Sequence, residues 1–335
     1  MKSFDILSVA ALVLTGTATI PLLIALGAAN GLVASFAFPA ASALMAQTVP
    51  GEVRRQANAI ARLGMNAAMI VGAAGGGLLV AAFGPGWGIA IDATTFAIAG
   101  LLYSLVRVAD VRDRAAPRAG TLTELREGWT EFVSHTWVWV VVLAFCFLNA
   151  AAVGGLQVLG PVVADESFGR RAWGIVLATQ TAGMVVGALI AMRVRVRRLL
   201  LVGCVAMIGE VPLLVALGIA PQVPLLIAFA FLAGLGIEQF GIAWETSVQE
   251  HIAPDKLARV YSYDALGSFI AIPLGQVAAG PAADALGTGP ALLIAAGISA
   301  LAVGGMVLSR AVRRLEHLPV APADTVEEPV GVSPG

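Results

Sequence analysis

The side chains best suited to chemistry in this sequence are acids and amides that lie inside long apolar stretches. Glu238, followed directly by Gln239, lies near the middle of one stretch, and Glu210 lies near the middle of another. An ionisable side chain is costly to bury in lipid, so one that occurs there is a candidate for proton coupling or substrate binding. Neutral amides in similar positions are candidates for hydrogen bonds to a substrate: Asn30, Asn149 and Gln180.

A structural role is the alternative for each of these residues. Glu238 can be a hydrogen-bonded structural acid or part of a gate near the inner mouth. Glu210 can pair with a neighbour or bond the backbone freed by Pro212, because proline removes a helical hydrogen bond. The amides can equally join neighbouring helices. The sequence alone leaves these alternatives open.

No pattern in the sequence favours catalysis, a metal site or a cofactor. Cys146 and Cys204 lie in apolar runs without a CxxC neighbour, and there is no HExxH, nucleophile or P-loop motif. The sequence therefore predicts a protein that is not an enzyme, that binds no metal and that needs no cofactor. The missing P-loop also disfavours an ATP-driven permease.

The amino-acid composition indicates whether this chain is surrounded by water or by lipid. Of its 335 residues, 59% are hydrophobic and only 12% are charged, and the mean hydropathy is +0.89. Ordinary soluble domains have about 25% charged residues. This chain has too little polar surface to face water, which excludes a soluble enzyme, a nucleic-acid partner and a disordered protein. It predicts an all-α, multi-pass protein in the lipid bilayer.

Charged residues divide the chain into ten hydrophobic segments. A helix needs about 20 apolar residues to cross a membrane, and the first segment is too short. The predicted spans are Phe4–Thr15, Pro21–Met45, Ile60–Phe83, Trp87–Val106, Trp137–Val158, Ala172–Met192, Leu199–Leu217, Val223–Thr246, Ser262–Ala283 and Pro290–Ser309.

The basic residues predict the orientation. If Met1 is cytoplasmic, every Lys and Arg except Arg170 and Arg171 is assigned to the inner side, Arg62 included. Cytoplasmic loops carry this excess of positive charge. We therefore expect a protein of the plasma membrane with both termini in the cytoplasm.

A long charged connection, Arg107–His135, divides the chain. Within it, Thr121–Val133 has apolar residues on one face and charges opposite, which predicts an amphipathic helix on the inner membrane surface. The predicted domains are an incomplete four-helix bundle (1–108), a cytoplasmic linker (109–135), a six-helix bundle (136–312) and a disordered cytoplasmic tail (313–335).

Two parts of the chain resemble each other. Residues 36–86 and 240–290 correspond at an offset of about 204, with Pro50 matching Pro254 and Arg55 matching Arg259. The two units have the same orientation, so the repeat is parallel. The second half has six spans and the first only four. We therefore expect a chain truncated at its N-terminus relative to a twelve-helix parent, through either a misassigned start or a deletion.

This pattern resembles the major facilitator superfamily, and within it the bacterial drug-efflux branch that includes macrolide exporters and the enterobactin exporter. The segments that carry the resemblance are FPAASALMAQTVPGEVRRQANA, IDATTF, LREGWTEFVSH and HIAPDKLARVYSYDALGSFIAIPLGQVAAGPAADALG. The resemblance implies a monomer that moves a small-molecule substrate by alternating access of two rocking bundles, usually driven by protons. It implies that Glu238, Asn30 and Asn149 lie on cavity-lining helices and Glu210 on a peripheral one.

Two further groups of residues gain a role from the resemblance. Gly72, Gly75 and Gly76 resemble the antiporter motif, although Ala73 replaces its usual proline; plain helix packing is the alternative. The family's basic loop between the second and third helices has no counterpart in this chain. Candidates for a gate at the cytoplasmic end are Arg54, Arg55, Arg259 and Asp264.

These observations predict a secondary transporter that exports small amphipathic molecules, such as a drug, a macrolide or a siderophore-like compound, with protons as the coupling ion. The alternative is an inactive remnant, because the loss of two helices would remove part of the cavity wall.

Overall fold

The fold is that of a computed structural model. It describes residues 47–83, 85–106, 121–193 and 196–317, with a few scattered positions between 12 and 45. The predicted spans Phe4–Thr15 and Pro21–Met45, Asn30 and the tail beyond His317 lie outside the described residues, apart from those scattered positions. Every regular element in the described ranges is helical, which confirms the predicted all-α class.

Ten helices of more than ten residues carry the described fold. They are α1 (Arg54–Phe83), α2 (Pro85–Leu105), α3 (Thr121–Ser134), α4 (Thr136–Glu166), α5 (Arg170–Arg193), α6 (Leu199–Ile219), α7 (Val223–His251), α8 (Leu257–Phe269), α9 (Ile272–Leu286) and α10 (Thr288–Leu308).

Seven helical stretches in the described ranges are long and apolar enough to cross a membrane: most of α2, α4 to α7, the continuous stretch of α8 and α9, and α10. The helix α1 contains the predicted span Ile60–Phe83 and begins with two arginines ahead of it. Both α1 and the stretch Leu257–Leu286 have 30 residues, and both α2 and α10 have 21. These equal lengths agree with the predicted internal repeat.

Three spans are interrupted where the sequence analysis predicted single helices. The middle of α4, Val153–Leu159, is a π-helical stretch, and α6 contains a 3₁₀ turn at Met207–Gly209. The helical hydrogen bonding is also interrupted between α8 and α9, just before Pro273. Proline deprives the carbonyl four residues earlier of its donor, which explains breaks near Pro212 and Pro273. π-helical stretches occur often at functional sites.

The helices α5 and α7 approach each other at glycines. A Cβ atom at Gly183 would overlap the carbonyl oxygen of Phe231, and one at Gly234 would overlap that of Gln180. A Cβ atom at Gly187 of α5 would likewise lie 3.0 Å from the carbonyl oxygen of Leu235 on α7. Small residues at such contacts are typical of helix packing in lipid, where van der Waals contact replaces the hydrophobic effect.

The helix α1 meets the later helices at one end only. Ala59 packs with Ala188, Ala191 and Ile242 near the arginine-rich end, which we call the inner end. Towards the other end of α1, Met69, Ile70 and Val71 are 60%, 49% and 69% exposed. Among the described helices, α1 therefore touches α5 and α7 at the inner end and is free of them further out.

The amphipathic helix is present as predicted and docks on α8. Phe132 is buried, and Gly128 lies against Tyr263 and Arg259. Leu125 and Trp129, on the predicted apolar face, stay about half exposed, as a helix on a membrane surface requires.

Two ion pairs hold α3 in place. Lys256 Nζ donates to Glu131 Oε2 at 2.7 Å, and Arg259 Nη1 donates to Glu127 Oε2 at 2.9 Å. The hydrogen bond from Lys256 holds the pKa of Glu131 below its ordinary value, and the same bond raises the pKa of Lys256. The pair is therefore charged on both sides across the neutral pH range.

The first residues of the predicted disordered tail are ordered. Arg310–Arg314 forms a short helix, and His317 lies 3.0 Å from Glu250. This contact, together with the ion pair between Arg197 and Glu316 at 3.1 Å, holds the chain against the bundle as far as His317.

Substituting Gly183 by Ala should separate α5 from α7. The added methyl group meets backbone, which cannot move aside, so we expect a loss of about 1–3 kcal/mol in stability. Gly174→Ala, on the same helix with nothing within 4 Å, is the matched control and should leave stability unchanged or raise it slightly. Thermal unfolding in detergent distinguishes the two. Equal melting temperatures would contradict the close contact.

Acidification should release α3. Because the pKa of Glu131 is lowered in the folded state, the contribution of Glu131 to stability is complete above about pH 4.3 and is lost as pH falls through the lowered pKa. Because the pKa of Lys256 is raised, the contribution of Lys256 to stability is complete below about pH 10.4 and is lost only at higher pH.

The protection of residues 121–134 against hydrogen exchange, measured relative to the intrinsic exchange rate at each pH, should therefore be constant near neutrality and weaker below about pH 4. Glu131→Gln and Lys256→Gln should each show fast exchange at pH 7, and the double variant no more than either alone. An additive effect of the two substitutions would rule out the pair as the tether.

Candidate functional site

A cavity of about 720 Å³ lies among the later helices and is bounded by α1 on one side. Its wall is mainly apolar and aromatic. Phe145 and Phe240 stack with ring centroids 4.2 Å apart, and Phe240 stacks in turn on Trp244 at 6.1 Å. The volume lies in the range of sites for drug-sized ligands.

Four ionisable side chains line the cavity: Glu210, Glu245, Asp264 and Arg62. Neutral hydrogen-bonding groups are supplied by Asn149, Gln157, Gln180 and Ser268. Asn149 and Gln180, two of the candidates for hydrogen bonds to a substrate, thus lie on the wall of this cavity. The amide of Asn149 also donates to the carbonyl of Ser268 at 2.9 Å, so it joins α4 to α8 as well.

Two of the cavity carboxyl groups are held by neighbouring side chains. Tyr261 donates its hydroxyl to Glu245 Oε2 at 2.8 Å. Trp244 Nε1 and Ser268 Oγ both donate to Asp264, each at 2.9 Å. Asp264, a candidate for the cytoplasmic gate, thus lies buried on the cavity wall with α7 and α8 as its partners.

Glu210 differs from these two acids. It is 3% exposed and lines the cavity directly after the 3₁₀ turn of α6. Its Oε1 atom accepts no hydrogen bond from any described residue. The resemblance implied a peripheral position for this residue; the structure instead places it on the cavity wall.

Glu238 is fully buried but does not line the cavity. Its Oε2 atom accepts a hydrogen bond from Asn66 Nδ2 at 3.0 Å, and its Oε1 atom lies 4.0 Å from Arg62 Nε. Both partners are on α1. A Cβ atom at Gly241 would overlap the Arg62 guanidinium, so that group rests directly on the backbone of α7 at Gly241.

These partners belong to a polar stripe on α1, formed by Arg54, Asn58, Arg62 and Asn66. They recur at intervals of four residues and so share one helical face. Arg54 Nη1 donates to the backbone carbonyl of Gln249 at 2.8 Å. Asn58 Nδ2 lies 3.1 Å from Thr246 Oγ1 and 3.0 Å from Gln249 Oε1. The stripe therefore joins α1 to α7 along the inner half of the membrane.

The remaining predicted residues lie apart from the cavity. Gln239 donates to the carbonyl of Gly187 at 2.5 Å, between α7 and α5. Arg259 pairs with Glu127 of the amphipathic helix, and Arg55 is buried near the inner end of α1. Beside the motif glycines Gly72, Gly75 and Gly76, no described atom lies within 4 Å of the Cβ position, so their packing role stays a prediction.

The sequence analysis missed the polar stripe. Arg62 lies inside the predicted span Ile60–Phe83, yet it was assigned to the inner connection. Asn58 and Asn66 flank it at four-residue spacing. That spacing was the available signal, because one polar face on an otherwise apolar helix predicts a polar partner helix.

Comparison with known proteins agrees with this architecture. A family model described as Major Facilitator Superfamily matches residues 4–209, more than half of the chain. In Bacillus subtilis (strain 168), the protein named "Uncharacterized MFS-type transporter YvqJ" is similar, with 22% identity over 285 residues. The matched region covers 83% of this chain and 68% of the relative. The helical architecture, the cavity and the family match together show that this chain belongs to the major facilitator superfamily, a family of multi-pass membrane transporters.

Proposed function

We propose that this chain exports small amphipathic molecules across the plasma membrane by alternating access, in exchange for protons, as in the drug-efflux branch that its sequence resembles. The observation that carries the proposal is the cavity of about 720 Å³, which combines aromatic walls with buried carboxyl and amide groups. An apolar pocket with a few convergent polar groups suits a ligand that has both an apolar body and a polar part.

The contact between α1 and α7 supports alternating access. The polar stripe closes the inner end, whereas Met69, Ile70 and Val71 further along α1 are exposed. To open the cavity towards the cytoplasm, α1 must leave α7, and these hydrogen bonds must then break. The stripe therefore acts as the inner gate in this proposal.

Glu238 is the group through which protons would act on that gate. Its carboxylate faces Arg62 at 4.0 Å and accepts from Asn66 at 3.0 Å. Proton uptake would cancel the charge opposite Arg62 and leave that guanidinium, whose side chain is only 22% exposed, without its counter-ion. Since an unpaired charge with little access to water is costly, protonation would favour separation of α1 from α7.

Transport in membrane vesicles tests this coupling. With a fluorescent amphipathic dye as substrate and an imposed pH gradient, Glu238→Gln should lower gradient-dependent transport at least about tenfold. The amide has the shape of the carboxyl group but cannot take up a proton. Glu166→Gln removes an exposed carboxylate near the other end of the membrane and should transport like wild type.

Two results would contradict the proposal. Unchanged gradient-driven transport in Glu238→Gln would remove Glu238 from the coupling. Dye transport by the wild-type protein that is equal with and without a proton gradient would rule out proton exchange itself.

A further inference from the structure

The ionisable groups around the cavity are unequally satisfied. Arg62 faces Glu238, which lies behind the cavity wall. Glu245 accepts from Tyr261, and both carboxylate oxygens of Asp264 accept from neighbours. Glu210 alone among the cavity carboxyl groups has a buried oxygen that accepts no hydrogen bond from the described residues.

The burial of Glu210 makes the missing hydrogen bond at its carboxyl oxygen energetically costly. Glu210 is 3% exposed, so water cannot freely solvate its carboxyl group. A buried polar atom without a partner costs about 1–3 kcal/mol, and more if it is charged. Such a group on the wall of a cavity is a position that a ligand can satisfy.

The surroundings of Glu210 favour a positively charged ligand. A carboxylate attracts a cation, and it rejects an anion strongly where water is scarce. The same cavity is lined by Phe145, Phe240 and Trp244, whose ring faces attract cations. Among the described residues of the wall, Arg62 carries the only guanidinium, and Glu238 is its counter-charge, so it opposes a cation only weakly.

We propose that Glu210 binds the positively charged group of an amphipathic cation, and that this contact makes the cavity selective for cations over anions and neutral molecules of the same shape. The inference rests on the proposed function in one respect, that the cavity is the substrate site. It assigns to Glu210 the choice of substrate, a role separate from the gate at Glu238.

Equilibrium binding to purified full-length protein in uncharged detergent tests the assignment. Tetraphenylphosphonium and tetraphenylborate have nearly the same shape and opposite charge, and triphenylphosphine oxide is a neutral relative. Wild-type protein should bind the phosphonium at least about tenfold more tightly than either of the others.

Variants at the same position isolate the charge. Glu210→Gln should weaken phosphonium binding at least about tenfold and leave triphenylphosphine oxide binding within about twofold. Glu210→Asp keeps the carboxylate and should keep the preference for the cation. Glu166→Gln, an exposed acid outside the cavity, should bind all three probes like wild type.

The outcomes separate this inference from the proposed function. Equal binding of the three probes, or phosphonium binding that survives Glu210→Gln, would overturn the role of Glu210 while leaving the cavity as the substrate site. Failure of the wild-type protein to bind any of the probes would count against both. Retained neutral binding in Glu210→Gln would show that this variant is folded.

Discussion

The polar contact between α1 and α7 is the interaction on which the described arrangement depends. Lipid provides no hydrophobic force between helices, so their association rests on close packing and on hydrogen bonds. Around Ala59, small side chains let α1 approach α5 and α7, and the polar stripe then finds partners from Glu238 to Gln249. The polar stripe and the packing around Ala59 together hold α1 against the later helices in the part of the chain that the structure describes.

Two buried acids on neighbouring helices have different chemistry because their partners differ. Glu238 has its partners within the protein, on α1, so a change in its charge alters how two helices fit together. Glu210 has a buried oxygen that accepts no hydrogen bond from the described residues on the wall of a cavity, where the proposed cationic ligand would bind. The groups that neighbouring helices place beside these two acids, rather than their depth in the membrane, distinguish their proposed roles. In the proposals above, Glu238 acts on the conformation and Glu210 acts on a ligand.

Apolar length and charge distribution predicted most of the fold but little of the site. The spans, the amphipathic helix near Thr121 and the close approach at Gly183 follow from local composition, so the sequence contained them. The cavity position of Glu210 depends on how α6 packs against other helices, and the partners of Glu238 come from residues more than 170 positions away. The periodicity of one segment does not reveal which face of a distant helix it will contact.

The strength of the inner gate suits a transporter. Hydrogen bonds between membrane helices contribute about 0.6 kcal/mol each on average, so the four from α1 to α7 sum to about 2 kcal/mol. That free energy favours the closed inner end by roughly thirtyfold. In the proposed mechanism, a proton on Glu238 or a ligand in the cavity would reverse such a bias, whereas a gate several times stronger would hold the protein in one state. Weak, distributed polar contacts therefore let α1 both close the inner end and release it.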